Sequence, residues 1–176
     1  MIDYRVRANK LTVTLFVIYF IILCWILLLK LGVRFTYMES RSINFIPFED
    51  AFLPDVKLDL GEIILNVLVF IPLGIYVAIL FKLWTLSKKL FFFFMISLMF
   101  ETLQFILKIG AFDITDLITN TFGGVIGLVV FKIIEKAFNN SVKAQRFINV
   151  FATLGSVLLI LLLLLLKLNL LPIKYQ

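Results

Sequence analysis

The chain has 176 residues, 62% hydrophobic and only 16% charged, with a mean hydropathy of +1.11, whereas soluble domains average about 45–50% apolar and about 25% charged. That balance excludes a water-soluble single domain and points to a small multi-pass helical membrane protein. There is no histidine and one cysteine, Cys24, in an apolar run; imidazole bases, His-dependent triads, disulfides, CxxC motifs and His or thiolate zinc sites are thereby excluded. The net charge of +6 reads as a topology signal, not as a nucleic-acid surface.

Five segments are apolar enough to cross a hydrocarbon core of roughly 30 Å: 11–29, 63–81, 90–107, 114–134 and 147–166. The first follows Arg5, Arg7 and Lys10, as a signal peptide would. It is too long for one and lacks a small-x-small cleavage pattern, so it is expected to stay as an anchor. Arg5, Arg7, Lys10, Lys82, Lys88, Lys89, Lys132, Lys136, Lys143 and Arg146 fall on one side, with only Asp3 and Glu135 as acids. The other side carries seven basic residues, Lys30, Arg34, Arg41, Lys57, Lys108, Lys167 and Lys174, against eight acids, Glu39, Glu49, Asp50, Asp55, Asp59, Glu62, Asp113 and Asp116. The positive-inside rule then places the N-terminus in the cytoplasm and the C-terminus outside. The fold class expected is all-α, about five transmembrane helices, with a long outer loop between helices 1 and 2. That loop, residues 30–62, contains RSINFIPFEDAFLPDVKLDL, whose mixed aromatic and charged residues suit the outer interface. The last span, with its Leu run, reads as a lipid-facing anchor.

Polar residues inside the spans carry the functional signal. Span three holds Glu101, a residue type costing about 2.5–3.5 kcal/mol at a helix centre on insertion scales. Ser97, Glu101, Gln104 and Lys108 are spaced four, three and four apart, one stripe of a helix that must face protein. Span four begins FDITDLITNTFGGVIG: Asp113 is placed to cap the helix and Asp116 to meet the positive end of its dipole. Asn120 lies on the same face, followed by Gly123 and Gly127, a GxxxG pair that admits a neighbouring backbone. The loop between spans three and four is short, so the two are expected as antiparallel neighbours. Span two adds Asn66 and Pro72, which leaves the Leu68 carbonyl without its helical donor and is expected to kink the span. Counting 1.5 Å per residue puts Glu101 and Asn120 at one depth, each roughly 9 Å below the outer surface. Asn66, Gln104 and Asp116 sit shallower, and Arg41 and Asn44 approach from the loop. A polar cavity is expected there, open to the outer leaflet, and no polar cluster in the cytoplasmic half.

Taken in order, RSINFIPF (41–48), NVLVFIPLG (66–74), SLMFETLQ (97–104) and FDITDLITNTFGGVIG (112–127) resemble the motifs of the VanZ-like family of bacterial membrane proteins. The resemblance covers about residues 41–134. It divides the chain into an N-terminal anchor with the start of the loop (1–40), a core (41–134) and a C-terminal anchor (135–176). It assigns the family's polar positions to Arg41, Asn44, Asn66, Glu101, Gln104, Asp113, Asp116 and Asn120.

The resemblance implies a multi-pass protein of the bacterial cell membrane, associated with resistance to teicoplanin, a lipidated glycopeptide acting on the outer face. The partner it implies is a membrane lipid, a lipid-linked cell-wall precursor or the lipoglycopeptide itself, with no nucleic acid. No cofactor is expected, although Asp113 and Asp116 have the chemistry to hold a divalent cation. Two other classes stand beside this one. The first is an intramembrane hydrolase or transferase on a lipid-linked substrate, with Glu101 as acid and Asp113 or Asp116 as base. The second is a small transporter or channel, against which stands the lack of a polar path through the cytoplasmic half.

Overall fold

The computed structural model describes residues 3–29, 43–49 and 60–167. Arg41 and most of the long loop lie outside them. Five helices among the described residues are long and apolar enough to cross a membrane. They are α1 (Asp3–Leu29), α2 (Leu60–Leu80), α3 (Leu86–Leu107), α4 (Ile114–Phe138) and α5 (Ser141–Lys167). All five coincide with the spans read from sequence, most of them longer by one or two turns because helices continue past the apolar stretch. α2 continues through Pro72 to Leu80.

Local chemistry sets the turns. Between α2 and α3, Phe81 stacks on Trp84 with centroids 4.3 Å apart, and Thr85 caps α3 by accepting the Lys88 amide. α3 ends on Lys108 in the left-handed region (φ 57°), where its positive charge suits the negative end of the helix dipole. The chain then folds back, and the Ile109 amide reaches the Gln104 carbonyl at 2.9 Å. Asn139, also left-handed (φ 49°), ends α4. Its neighbour Asn140 caps α5 by accepting the Val142 and Lys143 amides.

The closest packing joins α2 and α4, which run parallel. A Cβ on Gly123 would overlap the Val67 carbonyl, one on Gly127 the Ile71 carbonyl, and one on Gly74 the Gly124 carbonyl. Gly124 faces α3 instead, where a Cβ would sit 2.6 Å from the Phe93 ring. In lipid, apolar burial gives helices little drive to associate, so such shape-matched contact carries the packing. The GxxxG groove therefore serves α2, while the expected antiparallel pair α3 and α4 meets through Phe93. The core gathers Phe70, Leu73, Val77, Phe93 and Phe100 with Leu23 of α1. α1 is further tied in by Tyr19, whose hydroxyl donates to the Val69 carbonyl at 2.6 Å.

One feature beyond an all-helical reading appears at the end of the bundle where α2 and α4 begin, the loop end. Two-residue strands β1 (Ile43–Asn44) and β2 (Phe112–Asp113) pair in parallel, Ile43 opposite Phe112 and Asn44 opposite Asp113. The long loop is thereby fastened to the α3–α4 turn.

Candidate functional site

Asp113 is the hub of the loop end. As N-cap of α4, its Oδ1 accepts the Thr115 amide at 2.6 Å. Its Oδ2 accepts from Asn44 Nδ2 at 3.3 Å, and its own amide donates to Glu101 Oε2 at 3.1 Å. Glu101 is 2% exposed, so a buried carboxylate on α3, the first residue of the α4 cap and the loop asparagine form one hydrogen-bonded chain. Asn44 Oδ1 also accepts the Ile46 amide, and the Phe48 amide donates to Thr115 Oγ1 at 3.0 Å. Residues 44–48 are thus held to the start of α4 at several points, with Phe48 itself at positive φ (56°). Beside this chain Asn66 of α2 donates to Asp116 Oδ1 at 2.6 Å.

Two expected site residues are placed differently. Asn120, 1% exposed, does not meet Glu101 but donates to Ser97 Oγ at 3.0 Å, one turn further from the loop end. The equal-depth count assumed that α3 and α4 end at the same level. The return of the chain after Lys108 instead starts α4 opposite Glu101. Gln104 turns away from the cluster and donates to the Leu27 carbonyl at 3.0 Å, in the last turn of α1, where carbonyls lack helical donors. It fixes the end of α1. Arg41, expected at the mouth, is outside the described residues.

A cavity lined by described residues lies beside this cluster, and it is apolar. A groove of about 540 Å³ opens between α3 and α4 at the loop end, and its lining is apolar except for Thr121. Phe45 and Phe112, rings 6.1 Å apart, form its mouth beside Asn44 and Asp113. None of the carboxylates lines it. Among the described residues, no group of three or more His, Cys, Asp or Glu side chains is placed to hold a metal ion. Both oxygens of Asp113 and Oδ1 of Asp116 already accept hydrogen bonds, from Thr115, Asn44 and Asn66.

Sequence reading missed a second polar cluster, at the opposite end between α1 and α5. Gln145 Nε2 donates to Thr12 Oγ1 at 2.7 Å, and Thr12 Oγ1 and Asn149 exchange hydrogen bonds of 3.0–3.1 Å. All three residues are buried, which corrects the expectation that the other half carries no polar cluster. The spacing of four between Gln145 and Asn149 was the available signal. It was hidden because Lys143 and Arg146 made that turn look like a loop.

The comparison with known proteins adds one decisive observation to this geometry, a match between residues 16–135 and the VanZ/LLP1 family. The chain belongs to the VanZ/LLP1 family. It is also 39% identical over 153 residues to Protein VanZ of Enterococcus faecium, covering 85% of this chain and 88% of that one. No solved structure matches it. The VanZ/LLP1 match includes the second half of α1, all of α2 and α3, α4 up to Glu135 and every polar position of the loop-end cluster, and it stops before the Gln145–Asn149 pair.

Proposed function

We propose that this membrane protein lowers bacterial susceptibility to teicoplanin-type lipoglycopeptides, acting from the outer leaflet, where its loop end engages a lipid-linked envelope component or the drug. The observation that carries this reading is the chain Asn44–Asp113–Glu101, which joins the loop to a carboxylate buried in α3. Carboxylates inside a span are expensive and mark functional sites by default. Here they gather with Asn66 and Asp116 at one end, beside a groove that opens toward the bilayer. The excess of Lys and Arg at the opposite end supports a cytoplasmic N-terminus and an outward loop end. In this reading Asn44, Asp113 and Asp116 supply hydrogen bonds to a ligand headgroup, and Glu101 holds Asp113 in place from below.

Expression of the wild-type protein and of Glu101→Gln in a susceptible host, with teicoplanin and vancomycin tested side by side, examines the proposal. Gln keeps the size of Glu and an oxygen for the Asp113 amide, so folding should survive. A wild-type shift specific to teicoplanin that the variant loses is expected; equal protection by both would overturn the role given to Glu101. The orientation is checked separately in a Cys24→Ser background. Glu49→Cys should react with an impermeant thiol reagent in intact cells, and Lys88→Cys should not.

A further inference from the structure

The groove between α3 and α4 has no polar side chain but Thr121, yet its mouth adjoins the most polar junction of the bundle. Its α4 wall runs from Ile114 past Leu117 and Thr121 to Val125. Eleven residues of helix rise give about 16 Å, close to one leaflet of a hydrocarbon core of roughly 30 Å. Across from this wall stand Leu98 and, one turn further from the mouth, Phe94. The groove therefore starts at the level of Asp113 and is floored by Phe94 and Val125 near mid-membrane. Its volume of about 540 Å³ falls in the range of about 300–1,000 Å³ typical of ligand clefts.

The surfaces on either side settle where an occupant comes from. Phe94, Ile118 and Phe122 are 42%, 43% and 56% exposed on helices that can cross a membrane, so the groove is continuous with the hydrocarbon-facing surface. An apolar cavity stays dry and takes apolar molecules, and in that position the apolar molecule at hand is lipid. A straight chain of leaflet length would lie along α4 with its head at the Phe45–Phe112 mouth.

We infer that the α3–α4 groove is a binding site for one acyl chain of a phospholipid of that leaflet, with its headgroup beside Asn44 and Asp113. The inference goes beyond the proposed function by placing a membrane phospholipid at the same end of the bundle, and it rests on the loop end being the ligand-facing end. The two fail separately, because the site is read by lipid labelling and the function by drug susceptibility.

The test uses the full chain in vesicles of phosphatidylcholine and phosphatidylglycerol containing phosphatidylglycerol with a photoreactive diazirine midway along one chain. Labelled positions are then read by mass spectrometry. The lipid-facing side of α5, including Leu154 and Leu158 at 62% and 70% exposure, serves as the internal control for annular lipid. Labelling of 114–125 should exceed that of α5 at least fivefold and should saturate as unlabelled phosphatidylglycerol is added. Val125→Trp, which fills the floor, should abolish the excess without changing α5. Equal, unsaturable labelling of both helices would mean annular lipid only and would overturn the site. The wild-type comparison decides this even should Val125→Trp fail to fold.

Discussion

Helices α4 and α5 carry the same kinds of residue and use them in opposite ways. Each is long enough to cross a membrane, and each presents buried amides to a neighbouring helix. In α5, Gln145 and Asn149 close on Thr12, and none of the buried polar atoms of the three lacks a partner. In α4, Asn120 spends one amide atom on Ser97 while its Oδ1 has no partner, as does Thr121 Oγ1; among the described residues these are the only buried side-chain polar atoms so placed. The glycines diverge too, since Gly123, Gly124 and Gly127 are packed until no Cβ fits, whereas nothing lies within 4 Å of the position a Cβ would take on Gly155. A closed network is what interhelical glue requires. An open one, on a rigid glycine-packed seam next to a groove, is what a ligand site requires.

Substitution can sharpen that contrast, and the glycines should show its largest effect. Gly127→Leu forces α4 off the Ile71 carbonyl and should cut the yield of folded protein severely, because overpacking alone costs about 1–3 kcal/mol and here the obstacle is backbone. Gly155→Leu should leave yield and melting temperature in detergent unchanged. A tolerated Gly127→Leu would show that the α2–α4 contact is loose.

Next in size is the separation of function from stability at the loop end. Asn caps helices about as well as Asp, so Asp113→Asn should keep the melting temperature close to wild type while teicoplanin protection is lost. Asp116→Asn, which still offers Asn66 an oxygen, should behave alike. Retained protection in both variants would make the cluster purely structural.

The smallest effect is expected at α5. Asn149→Leu removes one member of the closed network and should cost about 0.6 kcal/mol, the average of measured interhelical hydrogen bonds, and at most about 1.7 kcal/mol, read by unfolding in detergent. Protection should be unaffected. A loss of protection at unchanged expression would move functional weight into the part of the chain outside the family match.

Much of this was legible in the residues themselves. The five helices follow from run length, and the cap at Asp113 follows from its place before an apolar run that opens Ile114, Thr115, Asp116. The polar face of α3 likewise follows from spacing, since Ser97, Glu101 and Gln104 are all buried. Periodicity names a face but not what meets it, and there the reading ran out. Gln104 answers a backbone carbonyl of α1, which has no side-chain signature. The glycine face of α4 found α2 rather than its hairpin partner. The paired strands at 43–44 and 112–113 depend on a fold-back after Lys108 that counting residues along straight helices cannot anticipate.

The parallel seam between α2 and α4 also sets an order of assembly. Because α2 docks on a helix two spans later, Asn66 has to wait for Asp116 and Gly74 for Gly124 and Gly127. A newly inserted α2 must wait in the bilayer while α3 crosses back beside it. The seam closes when α4 brings its three glycines against α2 and Phe93, and the same helix brings Asp116 to Asn66 and Asp113 to the loop. A chain interrupted before residue 113 would hold α1, α2 and α3 and none of the Asp113 and Asp116 contacts that make the loop end a site.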